Sequence, residues 1–202
     1  MDAARLARQL DFIIEIDKLK HVFRQTLLMD ASRLENDAEH SWHLAAMAVL
    51  LHEYAAEKGI DLPRVVAMVL VHDLVEIDAG DTYCYDEAGN RDKAEREQAA
   101  ADRIFAILPP DQAAAVRGLW EEFEAMATPE SRFAAALDRL QPLLHNFRTQ
   151  GAQWRKHGVN AGQVLERNQR MHDGAPELWA YAEAMIRDAV ARGYLAPDPR
   201  PE

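Results

Sequence analysis

The apolar stretch Val65–Val71 runs directly into His72-Asp73-Leu74-Val75-Glu76, so any fold of this chain must bring an imidazole and two carboxylates to the edge of its interior. Burying an ionised carboxylate is costly unless a counter-charge and hydrogen bonds accompany it. Ahead of the stretch, Asp61-Leu62-Pro63 reads as an N-cap followed by proline in the first turn, which predicts a deeply buried helix starting there. Apolar residues recur at helical spacing elsewhere too, and nothing alternates strictly over a strand's length. The expected fold class is therefore all-α.

The same periodicity predicts a first helix with an apolar face of Leu6, Leu10, Ile13 and Ile14 that ends near Phe23. A loop from Thr26 to Asn36 follows, then a long helix from about Ala38 to Lys58, stopped by Gly59. Gly80, Gly89 and Asn90 punctuate the polar stretch Asp78 to Arg91, which reads as a surface loop over a site. Further helices are expected from Ala94 to Leu108, where Pro109 and Pro110 break the pattern, and from Asp111 to Met126, Pro129 to Arg148 and Glu177 to Arg192. Gly151 to Gly174 reads as irregular. Short connections without internal repeats favour one helical bundle, a single domain over 1–195 with a disordered tail at 196–202.

Several function classes are disfavoured by composition. A hydrophobic content of 49% in 202 residues supplies one sizeable core. A formal charge of −11 weighs against a nucleic-acid polymer as partner, since such binding draws on Lys and Arg neutralising phosphates, yet a small phosphate ester remains compatible. No apolar run approaches the roughly 20 residues that cross a bilayer, and the first residues lack a signal-like apolar segment. The lone Cys84 excludes an intramolecular disulfide and a thiolate cluster. These features point to a cytoplasmic protein without a membrane partner.

His72 and Glu76 stand four residues apart and Asp73 and Glu76 three, spacings that share a helix face. One helix cannot surround a metal ion, so further ligands must come from other helices. His40, in Glu39-His40-Ser41-Trp42-His43, and Asp138, in Ala135-Ala136-Leu137-Asp138-Arg139-Leu140, are ligand-grade groups on predicted inward faces. Taken singly, each is more often a hydrogen-bonded core histidine or an ion-paired aspartate. Together they would otherwise require several separately satisfied buried polar groups. His43, one turn from His40, could bind or line the site, and lining is the favoured reading, whereas His52, His145, His157 and His172 read as surface or packing residues.

In that order, His40, His72-Asp73 and Asp138 resemble the HD-domain superfamily of metal-dependent phosphohydrolases. The stretches ENDAEHSWHLAAMA, VLVHDLVEIDAGDT and LWEEFEAMATPESRFAAALDRLQP are similar to its YfbR-like 5′-deoxynucleotidase branch, with likeness running from about Leu10 to Tyr194. The resemblance implies one divalent ion held by His40, His72, Asp73 and Asp138, commonly manganese, cobalt or magnesium. The donor set itself also admits iron, nickel or zinc. The resemblance further implies that Glu76 assists the attacking water and Asp81 orients it or the leaving group, roles that can be exchanged between the two. An upstream arginine binds phosphate in the family; Arg24 is the best match and Arg33 the runner-up. Where the deoxynucleotidases carry a tryptophan after that arginine, this chain has Gln25-Thr26, which leaves its sugar preference open. It also lacks the acidic pair of the alarmone hydrolases and the GYP motif of the cyclic-dinucleotide branch. The expected function is phosphate release from a (deoxy)nucleoside 5′-monophosphate. Two alternatives stand beside it: a metal-loaded module that binds a nucleotide as regulatory ligand without turnover, and a scaffold whose polar groups only fix helix register. A homodimer is expected, with Trp154 and Trp179 as candidate interface or core anchors.

Overall fold

A computed structural model of the chain describes residues 2–86 and 88–199. Its helices, in chain order, are α1 (Ala3–Ile16), α2 (Asp37–Leu51), α3 (Leu62–Val71), α4 (Glu76–Ala79), α5 (Lys93–Phe105), α6 (Pro110–Ala125), α7 (Pro129–Arg148), α8 (Ala152–Lys156), α9 (Ala161–Asn168), α10 (Met171–Gly174) and α11 (Pro176–Ala191). A small antiparallel hairpin precedes α2, formed by β1 (Phe23–Leu27) and β2 (Leu34–Asn36), with Phe23 opposite Asn36 and Leu27 opposite Leu34. The class is all-α, and the hairpin replaces part of the expected loop. Its Arg24-Gln25-Thr26 centre offers no apolar alternation by which a strand could be read.

Helix starts follow their caps. Asp61 accepts from the Arg64 amide at the head of α3, and Thr128 with Ser131 closes a capping box on α7. The predicted helix from Ala38 to Lys58 ends sooner, at Leu51, and passes through a 3₁₀ turn at His52–Tyr54 before Gly59 takes its left-handed φ of 78°. Gly151–Gly174, expected to be irregular, holds the short helices α8, α9 and α10.

The core has two parts. Helix α7 centres the larger one, in which Phe133, Leu137 and Leu140 pack with Leu44 of α2, Met68 of α3, Met171 of α10 and Ile186 of α11. The smaller gathers Phe12, Leu74, Val75, Ile104, Phe105 and Trp120. Trp154, 2% exposed, belongs to the larger core and is unavailable to an interface, and Trp179 packs against that core part-buried. The apolar face of α1 does not turn inward as its periodicity suggests: Leu6, Leu10, Ile13 and Ile14 are exposed and only Phe12 of that helix is buried.

Of the expected tail, Ala196 pairs with Asn160 and accepts a 2.8 Å bond from the Ala161 amide, while residues 200–202 lie outside the described residues. A close approach nearby sets a stability prediction. Gly151 has φ 73°, and a Cβ there would sit 1.9 Å from the Tyr194 carbonyl oxygen. Gly151→Ala combines left-handed strain with a backbone clash and should cost about 2–4 kcal/mol. Thermal denaturation followed by circular dichroism should show a Tm lowered by at least about 5 °C.

Candidate metal centre

Local structure delivers each polar group. The side chain of Asn36 accepts from the Glu39 amide at 3.0 Å, and Glu39 returns a bond to the Asn36 amide at 3.2 Å. This capping box starts α2 so that Asp37 and His40 lie in its first turn, both 0% exposed. At the end of α3 the His72 amide still bonds to the Met68 carbonyl, but Leu74 then bonds to Val71 and Glu76 to Asp73, so the ladder tightens to three-residue steps. His72, Asp73 and Glu76 therefore sit on a tight link between α3 and α4 instead of the continuous helix face that their spacing suggests. Met68 and Val69 belong to the larger core and Leu74 and Val75 to the smaller, and the link's polar side chains lie where the chain passes between them. On α7, Pro142 lacks the N–H that the carbonyl of Asp138 would accept in a regular helix.

The four candidate ligands converge. His40 Nε2 lies 3.0 Å from Asp138 Oδ1 and 4.0 Å from Asp73 Oδ2. His72 Nε2 lies 3.1 Å from Asp73 Oδ1 and 3.9 Å from Asp138 Oδ1. Arg24, on β1, reaches in with Nη1 2.8 Å from Asp73 and 3.3 Å from Asp37, and Nη2 4.0 Å from Asp138. Arg33 does not join them; it forms a surface ion pair with Glu39. It stands in the exposed connection between β1 and β2, so nearness in sequence to His40 does not carry it to the site.

Charge is crowded here. Burial, with repulsion from Asp73 next, pushes the Asp37 carboxyl up to about 8, and burial followed by Asp73 and Asp37 raises Glu76 well above its ordinary range. Burial also raises Asp81. His40 is pushed down to about 4, first by burial and then by the Arg24 charge, so it is neutral at pH 7. Burial alone would raise Asp138, but the hydrogen bond from His40 and the surrounding positive charge hold it below the usual carboxylate range.

These donors fit a divalent cation. His72 Nδ1 is 2.9 Å from the Val69 carbonyl and donates to it, so Nε2 carries the lone pair, buried, without a hydrogen-bond partner and facing the Asp73 carboxylate. Two acceptors 3.1 Å apart repel one another, a repulsion that a divalent cation bound between them would relieve. His40, His72 and Asp73 offer ligand atoms that all lie within 4.8 Å of one another, and Asp37, Asp73 and Glu76 form an overlapping set. Imidazole nitrogen with carboxylate oxygen suits a borderline to hard divalent ion.

The centre opens into a cleft of about 450 Å³ lined by Arg24, Asp73, Glu76, Asp81, Asp138 and the loop between α4 and α5. Arg96 pins that loop through Thr82 Oγ1 at 3.1 Å and the Gly89 carbonyl at 2.9 Å, and Asp81 accepts from the Gln25 backbone beside Arg24. Cys84 is exposed on this loop. Sequence reasoning passed over Asp37, Lys93, Tyr83, Tyr85, Arg139 and Arg167, which lie at the centre or in the cleft wall. Asp37 had a signal, an acid beside the N-cap and three residues before His40. The others come together only through tertiary folding. His145 is not an isolated packing residue either: it is buried and bonded to Gln141 and the Leu27 carbonyl.

A family model described as HD domain matches residues 16–179. The human protein named 5′-deoxynucleotidase HDDC2 is 30% identical over 136 residues, 67% of this chain and 65% of the relative, so the chain spans just under two thirds of that relative. A crystal structure described as a predicted metal-dependent phosphohydrolase, from Magnetospirillum magnetotacticum MS-1, is 58% identical, with 96% of each chain covered and a TM-score of 0.92. A conserved hypothetical protein from Pyrococcus furiosus shares the fold at 22% identity and a TM-score of 0.62, over 90% of this chain and 99% of its own.

Proposed function

Because the chain belongs to the HD-domain family, we propose that it is a divalent-metal-dependent phosphohydrolase that releases inorganic phosphate from (deoxy)nucleoside 5′-monophosphates. The observation that carries the reading is the lone-pair face of His72 Nε2, set 3.1 Å from Asp73 and 3.9 Å from Asp138 with His40 Nε2 beside them. The names of the human relative and of the Magnetospirillum structure support it.

His40, His72, Asp73 and Asp138 would hold the ion. When bound it supplies Lewis-acid polarisation of a phosphoryl oxygen and favours ionisation of a nearby water. For His40 to present Nε2, its proton must sit on Nδ1, where the buried Glu35 Oε2 is 3.7 Å away. Arg24, permanently charged, neutralises the phosphate. Glu76 accepts the proton of the attacking water, a role suited to a carboxylate whose affinity for protons burial has raised. Asp81, tied to the strand that carries Arg24, orients the sugar end of the ester or the leaving oxygen. Tyr83 and Tyr85, with rings 5.3 Å apart on the cleft loop, offer aromatic surface to a base.

A screen of phosphate release from ribo- and deoxyribonucleoside monophosphates with manganese, cobalt or magnesium tests this. Release from at least one series is expected, and tight nucleotide binding without release under every metal would replace the enzyme with a regulatory binder.

The proposal extends to one domain over 1–195, a cytoplasmic location and a homodimer. Among the described residues no helix is long and apolar enough to cross a membrane. What supports self-association is the exposed face of α1, where Ile13 is 58% and Ile14 70% exposed. Ile14→Glu should shift the protein from dimer to monomer in sedimentation velocity, and a parent that already sediments as a monomer would end this part of the reading.

A further inference from the structure

Behind His40, away from Asp138, lies a second polar cluster, of which the first centre draws only on the Glu35 oxygen 3.7 Å from His40 Nδ1. Glu35 of β2 is 1% exposed, and its Oε1 lies 2.6 Å from Gln141 Nε2. The same amide nitrogen is 3.0 Å from His145 Nε2 and 3.3 Å from His43 Nδ1. The two imidazole rings are 5.7 Å apart.

Proton accounting makes this arrangement incomplete. His145 Nδ1 lies 2.8 Å from the Leu27 carbonyl and donates to it, which leaves Nε2 as a lone pair. Burial lowers the proton affinity of both His43 and His145, so both are neutral near pH 7. Burial pushes the Glu35 carboxyl up to about 7, so near neutral pH it is only partly an anion; one amide with two hydrogens then faces up to three acceptors, while Gln141 Oε1 is buried with no partner at all. Glu35 Oε2 is also buried without a hydrogen bond. Such a concentration of unmatched acceptors, with Glu35 and His145 buried and His43 part-buried, is what a cation resolves.

Spacing agrees with that. The ligand atoms of Glu35, His43 and His145 all lie within 4.8 Å of one another, and Glu35 Oε1 is 3.8 Å from His145 Nε2. Two donors on one tetrahedral ion at about 2.1 Å lie roughly 3.4 Å apart. The cluster also repeats the first centre one helical step along: α2 carries His40 and then His43, and α7 carries Asp138, then Gln141 and His145. A backbone carbonyl behind a ligating histidine, as Leu27 is behind His145, fixes tautomer and ring orientation.

We infer that Glu35, His43 and His145 form a second divalent-cation site of the zinc, cobalt or manganese type, with Gln141 as its gate. The amide holds the acceptors together in the metal-free form and turns Oε1 inward, as a fourth ligand, when the ion enters. Such an ion would tie the hairpin to α2 and α7 behind the first centre. The inference does not depend on the phosphohydrolase reading.

Cobalt(II) chloride added to the metal-stripped full chain tests it, with bound cobalt measured after desalting and its visible absorption recorded. Two ions per chain are expected for the parent and one for Asp73→Ala, the remaining ion showing the intense bands of a four-coordinate site. His43→Ala in the Asp73→Ala background should bind none. Gln141→Glu, which adds a carboxylate in place of the gate, should tighten the retained site at least tenfold. One ion in the parent and none in Asp73→Ala would overturn the inference, as would a tenfold gain absent from Gln141→Glu. One ion in both that disappears when His43→Ala is added would support it while removing the first centre, and one ion in both that survives His43→Ala would overturn it. Circular dichroism confirms that each variant is folded, and Gln141→Glu decides the matter if the double variant is not.

Discussion

Asp73→Ala should abolish metal retention at the first centre and lower phosphate release by at least about 10³-fold, equivalent to roughly 4 kcal/mol of transition-state stabilisation. Asp73 stands at the middle of the charge arrangement: one oxygen is 3.1 Å from His72 Nε2, the other 2.8 Å from Arg24 and 4.0 Å from His40 Nε2. No neighbouring acid can replace it, because Asp138 is already one of the proposed ligands and burial with repulsion pushes the Asp37 carboxyl up to about 8, which keeps it protonated near pH 7. Folding should survive. Asp73 is the leading charge that raises Asp37 and Glu76, so its removal relieves repulsion even as Arg24 loses a partner. Metal content, phosphate release and Tm measured on one preparation separate these effects. A variant that turned over nucleotides at the parent's rate would show that the reaction uses another centre.

Helix content was readable because its determinants are local. Asp61 and Pro63 mark the start of α3, Pro109–Pro110 the start of α6 and Pro129 the start of α7, each through capping or a missing N–H, whereas α5 ends at Phe105, short of the expected Leu108. The direction in which a helix faces is not local. Leu6, Leu10, Ile13 and Ile14 form as good an apolar stripe as any buried one, yet the core accepts Phe12 and leaves the stripe in solvent. His40, His72, Asp73 and Asp138 stood out because each is costly where the pattern places it, and the fold does bring their donor atoms within a few ångströms. Arg24 ranks ahead of Arg33 only through the family resemblance; the hairpin supplies the physical reason, giving Arg24 an inward strand position and Arg33 an exposed turn. The second cluster was invisible for a related reason. Gln141 and His145 are unremarkable on α7 until β2 lays Glu35 across them.

Glu76→Gln should lower kcat by about 10²–10⁴-fold while leaving bound metal and the KM for nucleotide nearly unchanged. Glu76 is 5% exposed, with Oε2 free of hydrogen bonds and its carboxyl linked to Asp37. The amide keeps the size of the side chain and can donate to Asp37, so the interior loses a proton acceptor and little else. A carboxylate that served only as a metal ligand would instead release the ion when amidated, and one that served only to bind substrate would raise KM. The expected split, a kcat loss without either companion, belongs to a proton acceptor alone. If kcat is unchanged in Glu76→Gln and falls in Asp81→Asn, the proton passes to Asp81, the other acid of raised proton affinity that lines the cleft beside Arg24.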